Sequence, residues 1–332
     1  MPLDPQVREL LDRRAAAGTP PLYSMSVAEA RAADIDAIKA AGGAVEAVAA
    51  VEDTEIPGPA GPVPVRTYLP HGTGPFPTLV YFFGGGWTLG SLETSDGVCR
   101  ALTNAAGCRT VAVGYRLAPE HRFPAAVEDC YAAVRWLAYH GDGHGAGTSR
   151  LAVAGDSAGG NLAAVTALLT RDRGGPPLSA QVLVYPNTDQ TYDPPGPPGG
   201  HELPFNERSV RWYRDNYLVD EDDAANPLAS PLLAPDLSGL PPALVVTAEY
   251  DPLRTEGARY ATRLREAGVD VEHVDYPGMI HGFLTMLGEL DASRQAVSMI
   301  AAYVRARLGL RAGAGAAEHR SAYEMLARGN DA

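Results

Sequence analysis

From Thr78 onward the chain alternates short apolar runs with longer amphipathic ones, and few soluble architectures accommodate that rhythm. The strand-like runs are Thr78 to Phe83, Thr110 to Tyr115, Leu151 to Gly155, Gln181 to Tyr185, Ala243 to Thr247 and Val271 to Tyr276. Helix-like runs occupy Val98 to Ala106, Ala125 to His140, Asn161 to Arg171, Thr255 to Ala267 and Ala292 to Leu308. Parallel strands need crossover connections, usually helical, and such alternation predicts an α/β fold with a mostly parallel sheet flanked by helices. Ahead of it, Val48 to Ile56 and Val63 to Leu69, split by the turn-rich PGPAGP, predict an antiparallel hairpin.

Two stretches interrupt this plan. Residues 1–45 read as amphipathic helix, with Val7, Leu10 and Leu11 and then Val27, Ala30, Ile35 and Ile38 at helical spacing. Residues 188–226 open with the Pro/Gly-rich TYDPPGPPGG and continue into a stretch bearing Phe205, Trp212, Tyr213 and Tyr217. A connection this long inside a compact domain is usually functional, so the two are read together as a cap over a site. The core is then residues 46–187 and 227–310. Residues 311–332 form a tail, read as a frayed end, with an oligomer contact, and hence a homodimer, as the alternative.

Within the alternation, GDSAGG (Gly155 to Gly160) follows a strand-like run and precedes a helix-like one. That strand, turn and helix context is what a G-x-S-x-G nucleophile elbow requires. Gly155 and Gly159 leave room where a Cβ would clash in so tight a turn. The N-terminal N–H groups of the following helix, Ala158 first, point at the serine and favour negative charge there.

Ser157 needs a base, and the base needs an acid. In the order serine, acid, histidine, the downstream histidines are His201, His273, His281 and His319. His201 lies in the cap segment, His319 in the tail, and His273 inside a strand-like run where a core or half-exposed role is the default. His281, in a loop after the last strand, is the best base. Asp251 follows the strand Ala243 to Thr247 at the edge from which functional residues project. Glu249 and Asp275 are its rivals, and a plain helix N-cap before Pro252 is its non-catalytic reading. The glycines of FFGGGW (Phe82 to Trp87) let amide N–H groups converge on one point, as an oxyanion hole needs. Without G-x-G-x-x-G spacing, they do not read as a dinucleotide loop.

Composition removes several other classes. The 332 residues are 45% apolar and 20% charged, and the net charge of −13 with no basic patch argues against nucleic acid or an anionic membrane. No apolar run approaches a membrane span, and the start MPLDPQVRELLDRR lacks a secretory h-region. Cys99, Cys108 and Cys130 are an odd number without C-x-x-C spacing, which suggests buried thiols, no zinc site and a cytoplasmic setting.

Taken in order, GGGW, YRLAPEHRFPAA (Tyr115 to Ala126), GDSAGGN, NPLASPL (Asn226 to Leu232), DPL at Asp251 and HGF (His281 to Phe283) resemble the hormone-sensitive-lipase-like branch of the α/β-hydrolases, the bacterial family IV esterases. The resemblance implies an eight-stranded sheet with a helical cap, and hydrolysis of small carboxylic esters of short to medium acyl chain without a metal or cofactor. Residue by residue, it assigns Ser157 as nucleophile, Asp251 and His281 as partners, and the N–H groups of Gly85, Gly86 and Ala158 as the oxyanion hole. Phe83, Trp87, Phe205, Trp212 and Phe283 are the expected pocket aromatics. Phe83 stands where the family's oxyanion motif carries histidine, so the loop is expected to be held by packing rather than by that side chain's hydrogen bond. Thr255 stands where the family often has a second aspartate. Arg116 and Glu120 are expected to pair in a structural turn. The rivals are an amidase or deacetylase of a small metabolite, and a non-catalytic receptor like the plant gibberellin receptors, against which His281 counts.

Overall fold

In the computed structural model, residues 2–140, 146–194 and 203–310 are described. The chain enters through α1 (Pro5–Ala16) and α2 (Val27–Gly42). Ser26 opens α2 with a capping box, its hydroxyl accepting from Glu29 N–H while Glu29 accepts from Ser26 N–H. The hairpin follows as β1 (Ala50–Gly58) and β2 (Gly61–Leu69), in register from Ala50 opposite Leu69 to Gly58 opposite Gly61. Edge strand β1 is largely exposed and carries Glu52, Asp53 and Glu55, charges that discourage pairing with another chain.

The alternating part contains β3 (Phe76–Phe82), α3 (Leu92–Ala106), β4 (Arg109–Val113), α4 (Ala125–His140), β5 (Ala146–Asp156), α5 (Ala158–Asp172) and β6 (Ala180–Val184). After α6 (Glu207–Tyr217) come β7 (Ala243–Tyr250), α7 (Arg254–Glu266), β8 (Val271–Ile280) and α8 (Asp291–Arg307). The strands form one eight-stranded sheet in the order β1-β2-β4-β3-β5-β6-β7-β8. Only the β1–β2 and β2–β4 pairs are antiparallel. Every residue of β4 and β6 is buried, as expected of strands covered on both faces.

Topology now fixes where a site can lie. From β3 the chain crosses to β4 on one side and then returns to β5 on the other, so the loops leaving β3 and β5 open side by side at the C-terminal edge. A crevice at such a switch point is the general ligand position in open α/β sheets. The FFGGGW and GDSAGG segments are those two loops.

One expected contact is not made. Arg116 pairs with Asp129, bidentate at 2.8 Å, and Glu120 instead takes both Nη atoms of Arg31 from α2. YRLAPE therefore ties the N-terminal helices to the core, because each arginine finds a carboxylate on a neighbouring helix or loop rather than within its own turn. Arg31 holds the Glu120 carboxyl down to about 2.

Candidate active site

Ser157 sits at the tip between β5 and α5 with φ 57° and ψ −116°, a strained conformation for a residue bearing a Cβ. The strain is held by packing. A Cβ on Gly159 would lie 1.9 Å from the Phe82 carbonyl oxygen, and one on Gly155 would lie 2.2 Å from the Gly159 oxygen. The two glycines therefore let α5 close onto β3 and onto the end of β5, and Ser157 is lifted out as a result.

His281 follows β8 directly. Its Nε2 lies 2.8 Å from Ser157 Oγ and its Nδ1 lies 2.7 Å from Asp251 Oδ2. The other Asp251 oxygen accepts the Leu253 N–H at 2.8 Å, so the carboxylate both caps the turn before α7 and faces the imidazole. The competing residues are engaged elsewhere. Glu249 accepts the Gly278 N–H, and Asp275 pairs with Arg254 and accepts from the Thr247 hydroxyl. His273 hydrogen-bonds Thr247 within the sheet, while His201 and His319 lie outside the described residues.

The imidazole is flanked by aromatic rings. Phe205 stacks on it at 3.9 Å between centroids and 18° between planes, and Tyr185 packs at 4.7 Å. This fixes the ring and leaves its Nε2 edge toward Ser157. An imidazole so placed can take the serine proton, with Asp251 stabilising the imidazolium that forms.

Opposite lies the glycine loop. Gly85 has φ 119° and Gly86 φ 58°, values that favour glycine. Their carbonyls turn back onto the loop: Gly85 O accepts Thr88 and Leu89 N–H, and Gly86 O accepts the Thr88 hydroxyl. Among the described residues, neither Gly85 nor Gly86 N–H has an acceptor, and Ala158, first residue of α5, leaves its N–H free as helix starts do. Phe83 secures the loop by stacking on Tyr115 at 4.3 Å, and the Tyr115 hydroxyl donates to the Phe83 carbonyl at 2.7 Å. Packing thus stands in for a histidine hydrogen bond at this position.

A second tether was not assigned from the sequence. Asp156, buried beside Ser157, accepts the Tyr81 hydroxyl at 2.7 Å and the Gly84 N–H at 3.0 Å through one oxygen. Burial pushes its carboxyl up, against those two hydrogen bonds. The signal was present as an acid inside the elbow motif, but only the adjacency of β3 and β5 reveals its partners.

A cavity of about 490 Å³ opens onto Ser157, His281, Gly85 and Gly86, within the size range of small-molecule sites. Phe83, Phe205 and Trp212 line it, together with residues of α1, α2 and α6. Trp87 and Phe283 do not. Positive φ at Gly86 and at Trp87 itself turns the indole away to stack on Tyr217 at 4.2 Å. Gly282, at φ 82°, reverses the chain after His281 and drops Phe283 into the core against Tyr185 and Tyr276.

Asp34 of α2 also lines the cavity, and its Oδ2 is buried without a hydrogen-bond partner. Burial first and the nearby Asp156 second push this carboxyl up to about 7, although Gly90 N–H donates to it. The unfolded chain titrates near 3.8, so stability is fully present below that pH and is lost as pH rises through about 7. Asp34→Asn is therefore expected to stabilise the protein by on the order of 2 kcal/mol at pH 8 and by clearly less at pH 5. Thermal unfolding of both proteins at the two pH values checks this. A gain that does not grow with pH contradicts it.

Residues 79–285 match a family model described as alpha/beta hydrolase fold. The chain belongs to the hormone-sensitive-lipase-like branch of that family. Among these α/β-hydrolases, the carboxylic ester hydrolase LipN of Mycobacterium tuberculosis is 46% identical over 265 residues, covering 78% of this chain and 70% of that protein. The arylesterase of Saccharolobus solfataricus is 37% identical over 320 residues, 92% of this chain and 99% of its own length. A hyperthermophilic esterase from the archaeon Pyrobaculum calidifontis superposes with a TM-score of 0.87 at 44% identity, covering 92% of this chain and 99% of that one. Among the described residues of this α/β-hydrolase no helix is long and apolar enough to cross a membrane.

Proposed function

We propose that this α/β-hydrolase is a serine carboxylic-ester hydrolase acting on small esters of short to medium acyl chain through an acyl-enzyme. One observation carries the reading: the continuous chain from Ser157 Oγ through His281 to Asp251, at 2.8 and 2.7 Å, in the cavity that the glycine loop faces. His281 Nε2 takes the Ser157 proton as Oγ bonds to the ester carbonyl carbon. The oxyanion is held by the N–H groups of Gly85, Gly86 and Ala158. The imidazolium then protonates the departing alcohol as its bond to carbon breaks. Water, deprotonated by His281, attacks the acyl-enzyme and releases the acid, and the proton returns to Ser157. Asp251 orients the imidazole and offsets its charge.

The names of the relatives support ester cleavage, and the cavity volume supports a small substrate. Residues 1–45 and 188–226 are proposed to act as the cap, since α1, α2 and α6 supply the cavity wall remote from the sheet. Three unpaired, buried cysteines support a cytoplasmic setting. The test is steady-state hydrolysis of p-nitrophenyl acetate, butyrate, hexanoate and decanoate beside the matched p-nitroanilides. The highest kcat/KM is expected at butyrate or hexanoate, with anilides slower at every chain length. Turnover of the anilides at or above the esters overturns the ester assignment.

A further inference from the structure

The cavity wall is mainly apolar, with Leu10, Leu22, Met25, Ile38 and Met286 facing the aromatic residues already named. Among the described residues, each of its charged groups has at least one hydrogen-bond or ion-pair partner, with a single exception. Arg13 is paired with Glu9 and with Glu289. Asp156 is satisfied by Tyr81 and Gly84, His281 by Asp251 and Ser157, and Asp34 accepts the Gly90 N–H. Arg14, in the last turn of α1, lines the cavity half-buried, and its guanidinium has no counter-charge or hydrogen-bond acceptor among the described residues. Burial alone pushes its pKa down, the signature of a cation desolvated without compensation.

A cation at a helix C-terminus is ordinarily explained by the helix dipole. That accounts for the charge being in this turn, where Arg13 also sits, but a solvated side chain would serve the dipole equally well. Arg14 instead gives up part of its hydration at the wall of a substrate-sized cavity, in a protein whose net charge of −13 does nothing to draw anions in. An arginine is the side chain best suited to meet a carboxylate with two parallel N–H donors.

We propose that Arg14 is a specificity-determining residue that binds a carboxylate on the substrate, separated from the scissile ester by an apolar chain. The preferred substrates are then half-esters and other esters bearing a remote anionic group, rather than simple neutral esters. This rests on the ester-hydrolase reading and deepens it. The apolar wall accepts the chain between the two ends, and the pairing of Arg13 with Glu289 leaves Arg14 as the free partner.

The experiment compares mono-p-nitrophenyl adipate with p-nitrophenyl hexanoate, which differ in the terminal carboxylate. A second pair places the charge on the alcohol side: the butyrate ester of 4-hydroxybenzoate against that of its methyl ester. Each is run with wild type, Arg14→Gln and Arg14→Lys. In at least one pair the wild-type ratio of kcat/KM, anionic over neutral, is expected to exceed the Arg14→Gln ratio by about tenfold or more, with Arg14→Lys between them. The pair that responds identifies the side of the ester that carries the anion. Equal ratios in wild type and Arg14→Gln for both pairs overturn the proposal. Failure of wild type to hydrolyse any of the four esters overturns the ester-hydrolase reading itself, a separate result. Neutral-ester turnover by the Gln variant also reports that it has folded.

Discussion

Ser157→Ala is expected to lower kcat on p-nitrophenyl butyrate by about 10⁶, as does His281→Ala, with the double variant no slower than either single one. The reason is that the two side chains perform one act. At 2.8 Å from Oγ, Nε2 is the proton acceptor that makes the hydroxyl nucleophilic, so removing either partner removes the whole of that contribution. Residual catalysis of about 10³ to 10⁴ over water is expected to survive from the glycine loop and from binding. Asp251→Asn is the milder companion, since it leaves the nucleophile and base in contact. The measurement is steady-state hydrolysis with the variants prepared free of wild type, together with the initial burst of p-nitrophenol. Retention of more than about one per cent of wild-type kcat by Ser157→Ala, or losses from Ser157 and His281 that multiply in the double variant, is incompatible with the proposed mechanism.

Asp156→Ala is expected to lower kcat by about 10²-fold with a smaller change in KM, and to destabilise the protein by about 2 to 4 kcal/mol. The buried Tyr81 hydroxyl and the Gly84 N–H both end on this carboxylate. An alanine leaves two donors without an acceptor in the interior, each costing about 1 to 3 kcal/mol. The kinetic effect follows from position: Gly84 immediately precedes the two glycines whose N–H groups face the cavity, so slack at Gly84 misplaces the donors where charge develops. Asp156→Asn tests the argument because its amide oxygen can accept the same two hydrogen bonds, and it should recover most of both losses. Equal kcat deficits in the Ala and Asn variants would show that the charge, rather than the tether, matters. Thermal unfolding alongside the kinetics separates the two readouts.

Ser157 and Asp156 are neighbours in one hexapeptide, yet their roles are not equally legible. Ser157 could be named because the motif, its strand and helix context, and the order of acid and base all converge locally along the chain. The same holds for His281 and Asp251, each placed directly beyond a strand whose apolar run is plain. Asp156 was invisible as a tether because its partners, Tyr81 and Gly84, are more than seventy residues away and meet it only through the β3–β5 pairing. Of the five expected pocket aromatics, Phe83, Phe205 and Trp212 line the cavity, while Trp87 and Phe283 do not, for a related reason. Aromatic character suits a core and a cavity wall alike, and a positive φ at Trp87 and at Gly282 decided which of the two Trp87 and Phe283 would join.

The fold class, the succession of strands and helices, and the three residues of the serine, acid and histidine line are legible along the chain. Periodicity and turn chemistry are properties of neighbouring residues, and chain order survives folding. Tertiary structure alone decided which charges are paired and which wall faces a ligand. The partner of Arg116 proved to be Asp129 and that of Glu120 to be Arg31, while Arg14 entered the cavity without a described partner. Such outcomes depend on which side chains are brought within a few ångströms and stripped of water, where a carboxylate or guanidinium must find a counter-charge or bear the cost of desolvation.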